Sequence, residues 1–301
     1  MGIPTVAEPG SSTNLREFKD LKLKALGLRK TILEIMGVGT VGHLASSSSI
    51  IDILTALYFH HMRLDPTNPR WEGRDRFILS KGHASYALYA VLMELGYISK
   101  DEIPNKKKIG SVLQTHPDMK KTPGVEANTG SLGQGLSIGL GLCLGFRLSG
   151  GNQRVFVLVG DGELGEGPIW EAAMAASHYK TDKLRVIVDQ NGQSSTGFTK
   201  ERFYIHSVRD KFASFGCNSI EIDGHDFSQI LEAFELADNT LGRPTAIIAN
   251  TTKGKGFPFA ENNPNFHHAA LTQELYDSAL KMLEDAIEAM ESEEKGGHHA
   301  N

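Results

Sequence analysis

Apolar residues at helical spacing with charges between them run from Leu15 to Met36 and predict a first helix starting near Asn14. Residues 1–13, with Pro4, Pro9, Gly10, Ser11 and Ser12, read as a flexible lead-in. Ile50 to His60 is again apolar and helix-like, and the serine run Ser46 to Ser49 in front of it is suited to cap it. Phe77 to Leu79 predicts a short strand, followed by the turn Ser80-Lys81-Gly82-His83 and a helix through about Leu95. Lys106 to Asn128, with Pro117 and Pro123, is loop-rich. From Arg154 onward the order is clear. Val155 to Val159 is a β-branched run, Pro168 to Tyr179 is an alanine-rich helix, and Leu184 to Val188 is a second run, both runs reading as buried on both faces. Ser219 to Ile222 and Thr245 to Ala249 are further strands around a helix from Phe227 to Asp238, and Leu271 to Glu294 is a closing amphipathic, acidic helix. Repeated strand, helix, strand order predicts an α/β fold, a parallel sheet flanked by helices. No repeat or clear linker divides the chain, so 1–301 reads as one domain.

Composition narrows the function classes. The chain has 301 residues and a formal charge of −5, with Lys and Arg scattered apart from Lys106 to Lys108, which argues against a nucleic-acid surface. No apolar run approaches the roughly 18 to 20 residues of a membrane span. Met1 to Asp20 lacks the charged start, apolar block and cleavage site of a secretory signal, so a cytoplasmic protein is expected. Cys143 and Cys217 are too few for a disulfide framework and lack the spacing of a zinc site. Glycine is in excess, 32 of 301 residues against an average near ~7%, which points to close backbone approach to a ligand.

The sharpest candidate site is Gly160-Asp161-Gly162 at the end of the first buried strand, with Asn191 at the end of the next. Parallel strands joined by a crossover place both ends on one edge of the sheet, where ligands bind. A carboxylate, an amide oxygen and a nearby backbone carbonyl, that of Gln193, are hard donors suited to magnesium or calcium. They are too few to fill an octahedral shell, so the ion would take further oxygens from a diphosphate and water. Gly162 lets the main chain approach that diphosphate, and Pro168 presets a helix start behind it. Taken singly, Gly-Asp-Gly is also an ordinary turn; the strand context and the second site favour the metal. Four loop histidines, His43, His83, His116 and His267, add groups able to move protons near neutral pH. The stretch Thr129 to Gly135 is neither a dinucleotide fingerprint nor a P-loop, and its simplest reading is a loop and helix packed closely through Gly139, Gly141 and Gly145.

Gly160-Asp161-Gly162 with Asn191 resembles the thiamine-diphosphate motif, with Gln190 in place of the first asparagine of its closing pair. Ser80-Lys81-Gly82-His83-Ala84, Thr115-His116-Pro117-Asp118, and Pro123 to Glu126 leading into Thr129 to Gly135 narrow the resemblance to transketolase. It covers about residues 14 to 290. The resemblance implies that Asp161, Asn191 and the Gln193 carbonyl hold the metal (magnesium, calcium or manganese). Gly160, Gly162, His83, Gly130, Leu132 and Lys253 would lie against thiamine diphosphate. His116 would bind the donor hydroxymethyl group, and His43 and His267 would flank the aldehyde acceptor, His267 and Asn191 also touching the cofactor. Glu166 and Glu171 match acidic positions, and Glu166, counted among the cofactor-binding residues, would belong to the carboxylate network linking paired active sites. The segment after Asn191 can be aligned in more than one register, and His267 is preferred over His268 because of the aromatic residue before it.

The resemblance reaches only the first of transketolase's three domains, so it implies an amino-terminal subunit of a split enzyme. The partner would be a carboxy-terminal subunit supplying the glutamate that activates the cofactor, with two copies of each chain. The reaction implied is transfer of a two-carbon ketol unit from a ketose, such as a sugar phosphate, to an aldose. The alternatives are the α subunit of a 2-oxo acid dehydrogenase and a non-catalytic cofactor-binding or scaffold protein.

Overall fold

A computed structural model describes residues 12–297, with side chains over 16–292; most of the expected lead-in lies outside the described residues. In chain order the elements are α1 (Ser12–Met36), α2 (Leu44–Ser48), α3 (Ile51–Ala56), β1 (Arg76–Leu79), α4 (Ser85–Glu94), α5 (Gly135–Leu148), β2 (Val155–Gly160), α6 (Gly167–His178), β3 (Leu184–Gln190), β4 (Gln193–Ser194), β5 (Gly197–Phe198), α7 (Thr199–Arg202), α8 (Val208–Ser214), β6 (Asn218–Asp223), α9 (Phe227–Asn239), β7 (Thr245–Asn250) and α10 (Gln273–Gly297). Each predicted strand and the helices between them are present, with ends within a few residues of those expected.

A five-stranded sheet in the order β1-β2-β3-β7-β6 is parallel throughout. Side chains alternate across it. Phe156, Leu158, Ile187 and Ile247 face a core with α1, α3, α4 and α9, whereas Val155, Val157, Val159, Val186 and Val188 face α5, α6 and α8. The crossovers moving along the sheet to β2, β3 and β6 keep α5, α6 and α8 on one face. The step back from β6 to β7 puts α9 on the other, as right-handed connections require. The carboxyl ends of β1, β2, β3 and β7 therefore share one edge.

Two expectations are corrected. The serines cap nothing: Ser46, Ser47 and Ser48 lie inside α2, and no side chain caps α3. Buried there, Ser48 turns its hydroxyl back to the Ala45 carbonyl at 3.2 Å and Ser49 donates to the Asp189 carboxylate at 2.8 Å, which satisfies them without a cap. Of the three glycines expected to pack α5, Gly139 is needed, since a Cβ there would collide with Val157, while Gly141 and Gly145 face open space. Among the described residues no helix is long and apolar enough to cross a membrane.

Candidate active site

At the shared strand edge lies an open cavity of about 190 Å³ whose lining brings together His43, His83, Gly130, Leu132, Gly160, Asp161, Gly162, Asn191, Gln193, Lys253 and His267, all expected from sequence. Another cleft of about 200 Å³, around Cys143, Arg147 and Lys180, sits by the start of the strands and gathers none of these groups.

The turn after β2 is built to aim Asp161. Its Oδ1 accepts from the Gly162 N–H at 2.8 Å and its Oδ2 from the Gly192 N–H at 2.6 Å, so the ends of β2 and β3 are clamped together. Gly162 permits this: a Cβ would stand 3.1 Å from Ser194 Cα. Burial and the nearby Asp189 carboxylate push Asp161 up to about 7, although the Gly192 and Gly162 N–H groups and Lys81 oppose this. Asn191 donates through Nδ2 to Asp189 at 2.7 Å and accepts at Oδ1 from the Gln193 N–H at 3.0 Å. Gly130 is at φ +137°, and a Cβ there would overlap the His116 ring, so only glycine fits this bend of the loop.

The histidines form a cluster. The His43 ring lies 5.1 Å from His83 and 5.3 Å from His267, and His83 lies 5.3 Å from His267. Burial, reinforced by the neighbouring rings, drives His43 down to about 3. Burial and the Lys81 charge drive His83 to about 2, and burial and Lys253 drive His267 to about 4. All three are thus neutral at pH 7, each with one donor and one acceptor nitrogen. Lys253, 2% exposed and lowered to about 8 by burial and Lys81, stands 2.9 Å from His267 Nδ1. An ammonium only donates, so Nδ1 is the acceptor and Nε2 carries the proton. His268 is exposed and stacks on His43 at 4.5 Å outside the lining, so of the adjacent pair His267 is the one that lines the cavity.

Three expected residues are not brought into the cavity. His116 is exposed at the rim against Gly130. Glu166, before α6, is exposed behind Gly133, and Glu171 is exposed on α6. The lining also holds residues the sequence did not single out: Ser46, Lys81, Glu163, Ser194 and Ser195. Glu163 is buried and ties three segments together, accepting from Ser80 Oγ at 2.5 Å, Gly133 N at 2.8 Å and Gly160 N at 3.1 Å. Lys81 pairs with Asp189 at 2.5 Å, both buried. Although burial opposes it, the Lys81 charge and hydrogen bonds hold the Asp189 carboxyl below its usual range. The signal for these was a charge placed beside an apolar strand, as in Leu184 to Asp189, where a charge is retained only if paired.

A family model described as transketolase, thiamine diphosphate binding domain, matches residues 27–283. The chain belongs to the transketolase family. It is similar to a protein of Phocaeicola vulgatus named as a subunit of apulose-4-phosphate transketolase, 39% identical over 280 residues, covering 93% of this chain and 99% of that protein. It is also similar to 6-deoxy-6-sulfo-D-fructose transketolase subunit SqwG of a Clostridium species, 40% identical, covering 88% of this chain and 96% of that protein. Among solved structures, transketolase from Campylobacter jejuni superposes with a TM-score of 0.80 at 28% identity over 90% of this chain. The chain spans about half of that enzyme, 48% of its length. As a member of the transketolase family, it has a cavity whose donor set can be tested against the family's cofactor. The fit is good for a diphosphate and a hard cation. Asp161, Asn191 and the Gln193 main chain offer oxygens, the Ser46 hydroxyl and both polar atoms of the Gln193 amide are buried without a partner, and Lys81 and Lys253 add positive charge. Among the described residues no three His, Cys, Asp or Glu side chains gather into a self-sufficient metal site, so a cation here would depend on oxygens from the cofactor.

Proposed function

We propose that the chain is the thiamine-diphosphate-binding subunit of a two-subunit transketolase that transfers a two-carbon ketol unit from a ketose to an aldose. The observation carrying this reading is the meeting, in one cavity, of the hard-oxygen set Asp161, Asn191 and Gln193 with the neutral imidazoles of His43, His83 and His267. Asp161, Asn191 and the Gln193 carbonyl would hold a divalent cation, with magnesium the first choice. Gly130, Leu132, Gly160, Gly162, His83, Lys253 and His267 would receive the cofactor, and Glu166 would act from the rim. When bound, thiamine diphosphate supplies the electron sink for cleavage beside a ketose carbonyl. The chain's own part is to position it and to hold or move protons on sugar oxygens, through His43, His83, His116 and His267. A 2-oxo acid dehydrogenase reaction gives no reason for such a histidine cluster.

The subunit reading is supported by alignment along almost the full length of two proteins named as transketolase subunits. A carboxy-terminal partner would close the open side of the cavity, in an assembly with two copies of each chain. Those relatives are named for apulose 4-phosphate and 6-deoxy-6-sulfo-D-fructose, so ketoses with unusual carbon skeletons or tails belong beside the ordinary pentose phosphates as candidate donors. The test is to assay this chain with its partner on xylulose 5-phosphate, apulose 4-phosphate and the sulfonated fructose, with thiamine diphosphate and magnesium. Transfer from any of them supports the reading. Oxidative turnover of pyruvate with an electron acceptor, and no ketol transfer, would replace it.

A further inference from the structure

The Asn191 amide has one end that can ligate a cation and one that cannot: its oxygen has lone pairs, its NH₂ has none to give. Which end faces the hard-oxygen set is decided by its neighbours. On one side Nδ2 meets Asp189 Oδ2 at 2.7 Å; on the other, Oδ1 accepts from the Gln193 N–H at 3.0 Å. Asp189 is 0% exposed. Its Oδ2 also receives Lys81 Nζ at 2.5 Å and Ser49 Oγ at 2.8 Å, and its Oδ1 receives Thr251 Oγ1. Lys81 is in turn held by the Ser46 carbonyl at 3.1 Å. The carboxylate is thus fixed from the α2–α3 junction, the turn after β1 and the segment after β7. Paired with an ammonium, it can only accept.

We propose that Asp189 is the positioning residue of the cation site: it captures the NH₂ end of Asn191 and so leaves the oxygen end toward the Gln193 main chain and the cation. The inference rests on the metal reading given above and assigns Asp189 no contact with the cation. A leucine at 189, close in size, would offer the Asn191 NH₂ no acceptor, and the preference at Asn191 would be lost; an amide would not test this, because Lys81 and Ser49 would hold its oxygen in the same place. A carboxylate at 191 would present oxygen at both ends and need no orienting partner.

The experiment titrates Mn²⁺ into the full chain with its carboxy-terminal partner and thiamine diphosphate, following free Mn²⁺ by electron paramagnetic resonance and folding by circular dichroism. Asp189→Leu should weaken Mn²⁺ by about 10- to 100-fold, the usual effect of removing a partner behind a ligand. The double variant Asp189→Leu with Asn191→Asp should recover affinity close to that of the unaltered protein, which a merely structural role for Asp189 would not give. If Asp189→Leu does not fold, Thr251→Val, which frees one carboxylate oxygen and keeps the ion pair, should weaken Mn²⁺ less steeply but measurably. Unaltered Mn²⁺ affinity in a folded Asp189→Leu or Thr251→Val protein overturns the proposal, as does a double variant no better than the single one. A different failure separates the underlying reading: if the unaltered protein binds no Mn²⁺ with the cofactor, or Asp161→Ala binds it equally well, the metal site itself is wrong.

Discussion

Asp161 and His116 divide the work of the site between binding and turnover, and the two can be separated by substitution. Asp161 is buried and clamped by two backbone N–H groups. Removing it should abolish metal-dependent binding of thiamine diphosphate, because the diphosphate loses the ion that neutralises it. Calorimetry of Asp161→Ala with cofactor and magnesium checks this, and unchanged affinity would refute the ligand assignment. His116 sits outside the cavity lining, so His116→Ala should leave cofactor affinity nearly intact while lowering ketol-transfer turnover by roughly 10²- to 10⁴-fold. Saturation curves for cofactor and for donor sugar, measured separately, distinguish the two. The buried imidazoles add a pH effect whose sign is fixed. Unfolded histidine titrates near about 6.5, whereas His43, His83 and His267 are held down to about 3, 2 and 4. Below about 6.5 these three histidines therefore bind more protons in the unfolded chain than in the folded one, so their contribution to stability falls as the pH drops from neutrality towards 4 and is unchanged above 7, while Asp161, raised to about 7, works in the opposite direction. Urea midpoints at pH 7.5 and pH 5 measure the drop, and His43→Asn should shrink it; equal drops in both proteins would contradict the assignment.

Between elements, the strand ends are joined less by side-chain packing than by buried carboxylates. Glu163 alone links the turn after β1, the glycine-rich loop before α5 and the end of β2. Glu163→Ala would leave a hydroxyl and two N–H groups buried without partners, at a cost of about 1 to 3 kcal/mol for each that water does not reach. A melting temperature several degrees lower, with weaker cofactor binding recovered in part by Glu163→Gln, is the expected result. Such links explain what the sequence could and could not convey. The strands were legible because Val155 to Val159 and Leu184 to Val188 are apolar on both faces, a pattern with few other folded solutions. Asp161, Asn191 and the histidines were legible because glycine, strand ends and resemblance marked their places. Ser46, Lys81, Glu163 and Asp189 were not, because their role comes from partners 30 to 140 positions away that only the folded sheet brings near. The serine run misled for a related reason: a cap and a buried, back-bonded helix have the same local sequence, and only the surrounding core distinguishes them.

At the scale of the whole molecule, the cavity is open on one side, and large apolar side chains stand exposed on helices and loops that follow the cavity turns. Ile138 on α5, Met174 on α6, and Phe203 and Tyr204 after α7 are 36%, 48%, 65% and 54% exposed, and Phe203 lies beside the Gly165 turn that leads from Asp161 into α6. An open site of this kind leaves bound rings in water and supplies no wall to strengthen charge interactions within it. In the two-subunit reading proposed above, the activating glutamate comes from the partner. The chain alone should therefore bind thiamine diphosphate weakly and transfer no ketol unit. Mixed with a carboxy-terminal partner, it should form an assembly with two copies of each chain, because a two-fold axis would pair the exposed faces and cover them. Light scattering of each chain and of the mixture, with transketolase assays on all three, tests this. Replacing Met174 and Phe203 by glutamate should block assembly while leaving the chain folded, since both side chains are largely in solvent before the partner arrives. Full activity from this chain without a partner would refute the two-subunit reading, because the open cavity would then have to complete the site from its own lining residues.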